Sequence, residues 1–226
     1  MFSRMQLVTD TETVAERFNT TMVTNPKHFS PKEEINGFAH DFHPVLLKIN
    51  GLLVLNCFRW GLVPPDWKKE PEKIWNHTIS AKLEYINKRY AWQKVSQNRC
   101  LIPATAYFEY HWDDLKGNSK TKFIIKHITQ HIFSLAGFYS IWSDSSGNNL
   151  QTFTVCTTKA NEIMQYVHNK DADKNYHRMP VMLNKNDETT WLDTTIPCMD
   201  FAYPNYQPNL TANPIEKTLS GQLQLF

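Results

Sequence analysis

The sequence predicts a single, mostly β domain over residues 1–226, with short helices on its surface. The clearest observation is Asn50-Gly51 between two apolar runs, residues 44–49 and 52–58, since this dipeptide favours the tight turn of a β-hairpin. Further β-forming runs, separated by turn residues, lie at 98–110, 122–128, 132–138 and 152–157. No internal repeat and no change of composition indicates a linker, which predicts one domain.

The first element is predicted to be a short helix over residues 9–22, where apolar residues recur at four-residue spacing. Thr9 or Thr13, each followed by Glu three residues later, is expected to begin it through a capping box. Residues 24–43 carry Pro, Asn and His without a period, which is typical of a long loop. Loops of that length in a compact domain often carry function.

The later elements give weaker signals. Residues 81–95 have mixed helical character, whereas residues 159–167 carry an apolar stripe that predicts a short helix. A strand is expected over residues 179–183, and Asp187 is expected to cap the next helix. After Thr194 the chain is rich in Pro and is predicted to be irregular.

Composition indicates a globular chain without an overall basic field. Hydrophobic residues make up 41% and charged residues 20%, and the formal net charge is only +2. A nucleic-acid site must therefore come from a local cluster of cations. No apolar stretch approaches the roughly 20 residues that span a bilayer, and we find no secretory signal. The sequence thus predicts a cytoplasmic protein with no membrane partner.

The four cysteines lie far apart and form no CxxC pair. Cys57, Cys100 and Cys156 lie in strand-like runs, where a reduced thiol of the core is expected. A cysteine hydrolase built on Cys100 or Cys156 is a weak alternative, because a nucleophilic thiol needs an exposed and electropositive setting. Residues 40–43 contain two histidines and an aspartate but no second ligand pair follows, so no metal or other cofactor is expected.

The run from Asn98 to Tyr110 has the strongest chemical signal. It is apolar and β-forming, yet it ends with a carboxylate, Glu109, between two aromatic residues. A carboxyl group in apolar surroundings has a raised pKa, which suits it for proton transfer near neutral pH. Simple exposure of Glu109 to water at the end of the strand is the alternative, and the pattern alone leaves both open.

Three further stretches surround that strand. Residues 60–64 and 79–84 precede it, and residues 167–169 together with 178–181 follow it. In this order, around a Phe-Glu-aromatic strand, they resemble the SOS-response-associated peptidase (SRAP) family over roughly residues 1–216. The resemblance implies a single α+β domain with an open, barrel-like mixed sheet and a positively charged groove. It also implies recognition of abasic sites in single-stranded DNA, with a covalent link between protein and DNA.

The resemblance assigns two acid-base residues. Glu109 would transfer protons at the amine and the leaving water. His168 would assist opening of the sugar ring and reversal of the reaction. His168 follows residues 157–161, which match the segment that precedes the family's histidine. His177, directly before Arg178, is the second candidate, because the polar segment between the two histidines is longer than usual for the family. A purely structural role for His168 at a helix end is the alternative.

The resemblance also assigns DNA contacts to Arg4, Trp67, Ser80, Lys82, Thr157 and Arg178. Trp67 would stack on bases beside the cations Lys68 and Lys69, whereas Trp60 is expected in the core. Burial of both tryptophans is the alternative. Where the family usually has Asn-Ala-Arg, residues 80–82 are Ser-Ala-Lys, and Lys lacks the bidentate fork of Arg.

The N-terminus departs from the family at the residue that carries the covalent chemistry. In the family a Cys follows the initiator Met, and its amine and thiol form first a Schiff base and then a thiazolidine with the abasic aldehyde. Here Phe2 stands at that nucleophile position, although Arg4 matches the family's opening pattern. Either Phe2 replaces the nucleophile, or one Cys between Met1 and Phe2 is absent from this sequence. Phe2 itself has no thiol, so it permits no thiazolidine.

Two functions follow as hypotheses from different classes. The first is an SRAP-type peptidase that crosslinks to abasic sites in a lyase-like reaction and removes its own initiator residue. The second is a non-enzymatic module that binds single-stranded DNA and has lost the covalent chemistry at Phe2. A monomer is expected in either case.

Overall fold

The chain is mostly β-strand over residues 2–20, 23–24, 28–114, 116–170 and 177–215, the part that the computed structural model describes. Its strands are β1 (Arg4–Leu7), β2 (Val23–Thr24), β3 (Lys32–Asn36), β4 (Phe42–Ile49), β5 (Leu52–Trp60), β6 (Ser80–Lys82), β7 (Arg99–Ala104), β8 (Ala106–Trp112), β9 (Lys120–His127), β10 (Phe133–Ser143), β11 (Asn149–Lys159), β12 (Arg178–Pro180), β13 (Met182–Leu183) and β14 (Leu210–Pro214). The α-helices of the described residues are α1 (Thr11–Arg17), α2 (Tyr90–Gln93), α3 (Glu162–Val167) and α4 (Glu188–Leu192). Within this part, no helix is long and apolar enough to cross a membrane.

Five strands form a closed ring. In the order β5, β4, β7, β10 and β11 each strand pairs antiparallel with the next. β11 then pairs in parallel with β5, with Thr152 opposite Arg59 and Phe153 opposite Trp60. The barrel-like mixed sheet and the mostly β single domain predicted from the sequence are therefore confirmed. The ring is closed rather than open as expected, because β11 pairs with β5, so each of its strands has a neighbour on both sides.

The hairpin of β4 and β5 turns at Asn50-Gly51, as predicted. Both turn residues have positive φ angles, 50° and 82°, which the tight two-residue hairpin turn requires and which Asn and Gly tolerate best. Pairing begins next to the turn, with Ile49 opposite Leu52, and continues without a shift to Phe42 opposite Arg59. The turn chemistry and the apolar pattern therefore fix the same register.

A second, antiparallel sheet has the strand order β3, β1, β8, β9 and β14. Thr105 joins it to the barrel, because β7 ends just before this residue and β8 begins just after it. The backbone N–H of Thr105 donates to the carbonyl of Gln6 at 2.8 Å, and the Thr105 hydroxyl donates to the Gln6 side chain at 3.1 Å. The run predicted as one strand over 98–110 is thus two strands in two sheets, and Glu109 belongs to the second sheet.

Short strands extend the barrel at β11. On one side β11 pairs first with β5 and then with β6, and on the other it pairs with β10 and then with β12. β13 pairs instead with β10. The strand predicted over 179–183 is therefore two pieces that change partner at Val181, whose N–H donates to the Cys156 carbonyl at 2.9 Å.

A layer of aromatic residues fills the core between the two sheets. The rings of Trp60 and Phe153 stack with centroids 5.9 Å apart, and Phe2 contacts Trp60 at 5.8 Å. All three side chains are buried, which confirms the core position predicted for Trp60. Cys57, Cys100 and Cys156 are buried free thiols, as the sequence predicts; Cys198 is also free.

The loop predicted over residues 24–43 is wrong, because β3 and the start of β4 lie within it. β3 is an edge strand of the second sheet, and only Ile35 of its five residues is buried. Because most residues of this edge strand contact solvent, they are polar, and the sequence lacks the alternation of apolar and polar residues that indicates a strand. The irregular region predicted after Thr194 is confirmed for residues 195–209, which hold only a 3-10 turn at Cys198–Phe201, but the edge strand β14, which pairs with β9, was missed for the same reason.

The first helix, α1, is shorter than predicted and begins differently. Asp10 is its N-cap, and the Asp10 carboxylate accepts a hydrogen bond from the Thr13 N–H at 2.8 Å. The capping box expected at Thr9 or Thr13 is therefore wrong. Asn19, with a φ angle of 49°, follows the helix in the left-handed conformation, and Met22 lies outside the described residues.

The segment with mixed helical character is mostly not α-helical. Within residues 81–95 only α2 is an α-helix, and a 3-10 turn over Leu83–Tyr85 follows β6. Asp187 does occupy the N-cap position of α4, but its side chain makes no capping hydrogen bond there. It accepts instead from the Tyr206 hydroxyl at 3.0 Å.

Candidate functional site

One groove contains most of the side chains to which the sequence assigns chemistry. Its volume is about 880 Å³. Strand pairing explains the convergence, because Thr157 on β11 lies opposite Lys82 on β6, and Lys159 on β11 lies opposite Arg178 on β12. Six of the nine predicted site residues line the groove: Phe2, Ser80, Lys82, Thr157, His168 and Arg178.

The lining of this groove is cationic. Its basic side chains are His77, Lys82, Arg89, His168, Lys170 and Arg178, and none of the described residues that line it is Asp or Glu. A chain with a formal net charge of only +2 therefore concentrates positive charge at one surface. That is the local cluster that recognition of a phosphate backbone requires.

Glu84 holds Arg178 in a fixed orientation. The Arg178 guanidinium donates to both carboxylate oxygens of Glu84, at 2.9 and 2.8 Å, and to the carbonyl of Thr157 at 2.8 Å. Burial acts to raise the pKa of Glu84, but the hydrogen bonds and charge of Arg178 outweigh it and lower the pKa. Glu84 is therefore ionised, and it offsets much of the charge of Arg178.

His168 lies at the C-terminal end of α3 and lines the groove. Its Nδ1 donates to the carbonyl of Arg178 at 3.2 Å. Because a carbonyl oxygen only accepts, this bond assigns the proton of the neutral ring to Nδ1 and leaves Nε2 as the basic nitrogen. Burial lowers the pKa of His168, so the ring is neutral at physiological pH and able to accept a proton.

His177, the second candidate, does not line the groove. Its Nδ1 donates to the backbone carbonyl of His168 at 2.5 Å, and its own carbonyl accepts from the Ala160 N–H at 3.1 Å. His177 thus supports the backbone around His168. The geometry favours His168 as the histidine that meets a ligand.

Glu109 lies on β8, two residues after Tyr107. β1 runs antiparallel to β8 with Met5 opposite Tyr107, so the residues before Met5 run toward Glu109. The Tyr107 ring contacts Phe2 edge-on, with centroids 5.7 Å apart. Burial raises the pKa of Glu109 to about 7, as the sequence predicts for a carboxyl in apolar surroundings. Glu109 does not itself line the groove. Tyr107, two residues before it on β8, contacts Phe2, and Phe2 does line the groove.

Asn169 ties the loop that carries His168 to the strand that carries Glu109. Its Oδ1 accepts from the backbone N–H of Trp112 at 2.7 Å, and its Nδ2 donates to the Trp112 carbonyl at 2.9 Å. Trp112 is the last residue of β8, three positions after Glu109. These two hydrogen bonds fix the position of His168 relative to Glu109.

Phe2 is both a core residue and part of the groove. Its side chain is only 1% exposed and packs between Trp60 and Tyr107. It also lines the groove together with His168. The ring therefore anchors the first described residue of the chain at the site where the family resemblance expects the nucleophile.

Arg4 does not line the groove. On β1 it pairs with Glu34, and Glu34 also accepts a hydrogen bond from Lys122. Burial acts to raise the pKa of Glu34, but these two cations outweigh it and lower the pKa. Glu34 thus offsets the charge of Arg4 and weakens the electrostatic attraction of a phosphate to this position.

Trp67 also lies outside the groove lining. Its indole N–H donates to the Glu70 carbonyl at 3.2 Å, and its own carbonyl accepts from the indole of Trp142 at 2.7 Å. The preceding residue, Asp66, accepts from the hydroxyl of Tyr90 at 2.5 Å, and Tyr90 does line the groove. Half-buried Trp67 is therefore at the rim of the site.

The sequence interpretation missed three aromatic residues of the groove, Tyr85, Tyr90 and Trp92. A signal for them was present, since residues 82–94 interleave these aromatic residues with four Lys or Arg side chains. Aromatic residues between cations are typical of surfaces that bind single-stranded nucleic acid. The mixed helical character of the segment concealed that pattern.

The alternatives that the sequence raised against a nucleic-acid site receive no structural support. Burial raises the thiol pKa of both Cys100 and Cys156 well above the usual value, which makes them poor nucleophiles. The ring of His43 is buried and its Nε2 donates to the Pro103 carbonyl at 2.7 Å. In the described ranges, no group of three or more His, Cys, Asp or Glu could hold a metal ion.

Comparison with known sequences gives relatives over nearly the whole chain. Residues 1–220 match the family described as SOS response associated peptidase (SRAP). The abasic site processing protein YoqW of Bacillus subtilis (strain 168) is 31% identical over 217 residues, which cover 92% of this chain and 87% of that relative. The abasic site processing protein YoaM of the same organism is 37% identical over 140 residues, 62% of this chain and 56% of that relative.

Solved structures have the same fold. A crystal structure of a protein from Bacteroides thetaiotaomicron superposes with a TM-score of 0.80 at 24% identity, over 94% of this chain and 91% of that one. A protein from Bordetella bronchiseptica gives a TM-score of 0.72 at 19% identity, over 95% and 100% of the two chains. Together with the family match over residues 1–220, these findings identify the chain: it belongs to the SOS response associated peptidase (SRAP) family.

Proposed function

We propose that this chain recognises abasic sites in single-stranded DNA through the cationic groove. The observation that carries the proposal is the convergence of residues from four separate parts of the sequence, around positions 2, 80, 157 and 168–178, on one surface without acidic lining among the described residues. The names of its relatives, which are abasic site processing proteins, support the same substrate.

We further propose that Glu109 and His168 transfer the protons of a covalent reaction at the opened sugar. With a pKa of about 7, Glu109 exists in both protonation states near neutral pH. Its acid form donates a proton to the hydroxyl that leaves as water when an amine condenses with the aldehyde, and its carboxylate form accepts one. Neutral His168 accepts the proton of the sugar hydroxyl as the ring opens, and returns it on reversal.

The nucleophile is a separate part of the proposal. A terminal Cys placed before Phe2 would supply an amine for the Schiff base and a thiol that adds to the imine and closes a thiazolidine. Phe2 itself is held in the core by Trp60 and Tyr107 and offers no reactive group. The chain as written is therefore proposed to bind the abasic site without the thiazolidine adduct. In a form with the terminal Cys, removal of the initiator residue by the same groups fits the peptidase name.

Intact mass spectrometry with a single-stranded oligonucleotide that carries one abasic site tests the covalent step. The protein is compared with a variant that has Cys inserted between Met1 and Phe2, and with a matched variant that has Ser inserted there. Insertion is preferable to Phe2→Cys, because it retains the ring that packs between Trp60 and Tyr107. We expect a stable mass increase equal to the DNA less one water, which is lost in the condensation, for the Cys variant only.

Two other outcomes would change the proposal. A stable adduct on the unmodified protein as well would mean that an amine or another thiol suffices, and the terminal Cys would lose its assigned role. Binding of the oligonucleotide without an adduct on any of the three proteins would favour the second candidate, a non-enzymatic single-stranded DNA-binding module. The Ser80-Ala81-Lys82 departure from the family pattern favours that second candidate.

A further inference from the structure

One wall of the groove consists of a segment to which the acid-base chemistry assigns no role. Residues 82–94, here named the aromatic segment, contain Tyr85, Tyr90 and Trp92 between four cations. The segment begins at the end of β6, turns through Leu83–Tyr85 and continues into α2. The backbone N–H groups of Lys88 and Arg89 both donate to the Tyr85 carbonyl, at 2.9 and 3.1 Å, which folds the segment back as a compact turn.

Two of its rings are presented to solvent. Tyr85 is 43% exposed and Tyr90 is 48% exposed, and both line the groove. Trp92, in contrast, is only 7% exposed and anchors the segment to the core. Exposed rings provide flat apolar faces on which a base can stack.

Cations lie against these rings. The ammonium groups of Lys82 and Lys88 lie 5.9 and 5.8 Å from the centroid of Tyr85, and that of Lys94 lies 5.6 Å from the centroid of Tyr90. The only acidic residue of the segment, Glu84, is bound to Arg178. Positive charge therefore lies over each exposed ring on a flexible lysine side chain, which can turn to a phosphate when a base takes its place on the ring; this suits a ligand with aromatic rings and phosphates in alternation.

The Tyr90 ring is also oriented from outside the groove. Its hydroxyl donates to Asp66 at 2.5 Å, and Lys94 pairs with the same carboxylate at 3.1 Å. A ring that is already held in place loses little conformational entropy when a base stacks on it.

We propose that the aromatic segment is a stacking platform for the bases that flank the abasic position, with Tyr85 and Tyr90 as the contact residues. The proposal rests on the proposed function of the groove and specifies how the strand is read there. An abasic nucleotide offers no base, so its own contacts come from sugar and phosphate. The bases beside it supply the remaining surface, and they fix which nucleotide lies next to His168. Stacking on aromatic faces tolerates any base, so the platform accepts abasic sites in varied sequence contexts.

The test uses a single-stranded oligonucleotide with one abasic site and 2-aminopurine as a neighbouring base, whose fluorescence falls when it stacks. Binding is followed by anisotropy of a terminal dye, and stacking by 2-aminopurine emission. The variants Tyr85→Leu and Tyr90→Leu keep an apolar side chain and remove the ring, whereas Tyr85→Phe keeps the ring. Tyr166→Leu is the matched control, because Tyr166 is 63% exposed and lies outside the groove lining.

We expect Tyr85→Leu and Tyr90→Leu each to weaken binding by roughly tenfold, since each variant removes the face on which a base stacks, and to restore 2-aminopurine emission. Tyr85→Phe and Tyr166→Leu should bind and quench as the unmodified protein does. If the unmodified protein binds but the two Leu variants bind and quench equally well, the platform is refuted and the proposed function stands. If the unmodified protein does not bind the oligonucleotide, the proposed function fails and the platform fails with it.

Discussion

At the scale of single residues, burial shifts the pKa values of the two candidate acid-base groups, Glu109 and His168, in opposite directions. Burial raises the pKa of Glu109 to about 7 and lowers the pKa of His168. The carboxyl group is therefore available as an acid at a pH where the imidazole is neutral. Pairs of titratable groups whose environments move their pKa values in this way are typical of acid-base sites.

The raised pKa of Glu109 predicts a dependence of stability on pH. The folded protein holds this proton up to about pH 7, whereas the unfolded chain releases it near the ordinary value of 4.5. The folded state thus loses stability from Glu109 as the pH rises from 4.5 to 7, and the loss is constant above that range. Glu109→Gln removes the penalty, so we expect the variant to be more stable at pH 8 by up to about 3 kcal/mol.

Urea denaturation at pH 4, 6 and 8 measures this difference. The free energies of unfolding of Glu109→Gln and of the unmodified protein should agree at pH 4 and separate as the pH rises. A gap of equal size at all three pH values would mean that Glu109 titrates as it does in the unfolded chain, and the acid-base role would lose its basis. Glu34→Gln serves as the control, because the pKa of Glu34 is lowered, and its loss should destabilise the protein at pH 8.

Phe2 gives a second prediction at this scale. Its ring is buried between Trp60 and Tyr107, so Phe2→Ala should leave a cavity and cost about 3–5 kcal/mol of stability. Phe2→Leu should cost clearly less because it fills most of that space. Thermal or urea unfolding of the two variants checks this order, and an unchanged stability for Phe2→Ala would contradict the anchoring of the N-terminal residues at the groove.

At the scale of elements, the site depends on the attachment of the loop after α3 to β8. His168 and Glu109 belong to different elements, and the two hydrogen bonds of Asn169 to the backbone of Trp112 join them. A helix end and a strand end can each move slightly without unfolding. The side chain of Asn169 therefore acts as a positioning group for the pair.

Asn169→Ala should impair the covalent reaction more than binding. Loss of the two hydrogen bonds is expected to cost about 1–3 kcal/mol of stability. In the variant with the inserted Cys, adduct formation should slow by at least about tenfold, as expected for misplaced catalytic groups, while the affinity for the oligonucleotide stays nearly constant. Asn169→Asp keeps the acceptor oxygen and loses the donor N–H, so its rate of adduct formation should lie between those of Asn169→Ala and of the protein with Asn169 intact. Equal loss of adduct formation and affinity would refute a positioning role.

The same scale explains which parts of the fold were predictable from the sequence. The hairpin at Asn50-Gly51 follows from turn chemistry and apolar runs that agree. The edge strands β3 and β14 were missed because their polar residues face solvent and show no period. The break at Thr105 was missed because β7 and the first three residues of β8 are buried, and a continuous apolar run does not reveal a change of sheet.

At the scale of the whole molecule, the candidate site is a property of the barrel rather than of any one motif. β6, β11 and β12 are neighbours only because β11 continues past its pairing with β5 and β10. The sequence motifs therefore predicted the groove residues Ser80, Lys82, Thr157 and His168 through the family resemblance. They did not predict that the cations of Arg4 and Arg178 are engaged by Glu34 and Glu84, because such pairing depends on the folded geometry.

The central claim is that this groove binds single-stranded DNA. A change of charge inside the groove, compared with the same change outside it, tests that claim most directly. Anisotropy titrations with the abasic oligonucleotide compare the unmodified protein with Lys82→Glu and Lys126→Glu. Both variants change the net charge equally, but Lys82 lines the groove and Lys126, exposed on β9, does not. We predict that Lys82→Glu weakens binding at least about tenfold and reduces the dependence on salt concentration, as expected for a phosphate contact. Lys126→Glu should bind nearly as the unmodified protein does. Equal effects of the two variants, or no effect of Lys82→Glu, would contradict the claim.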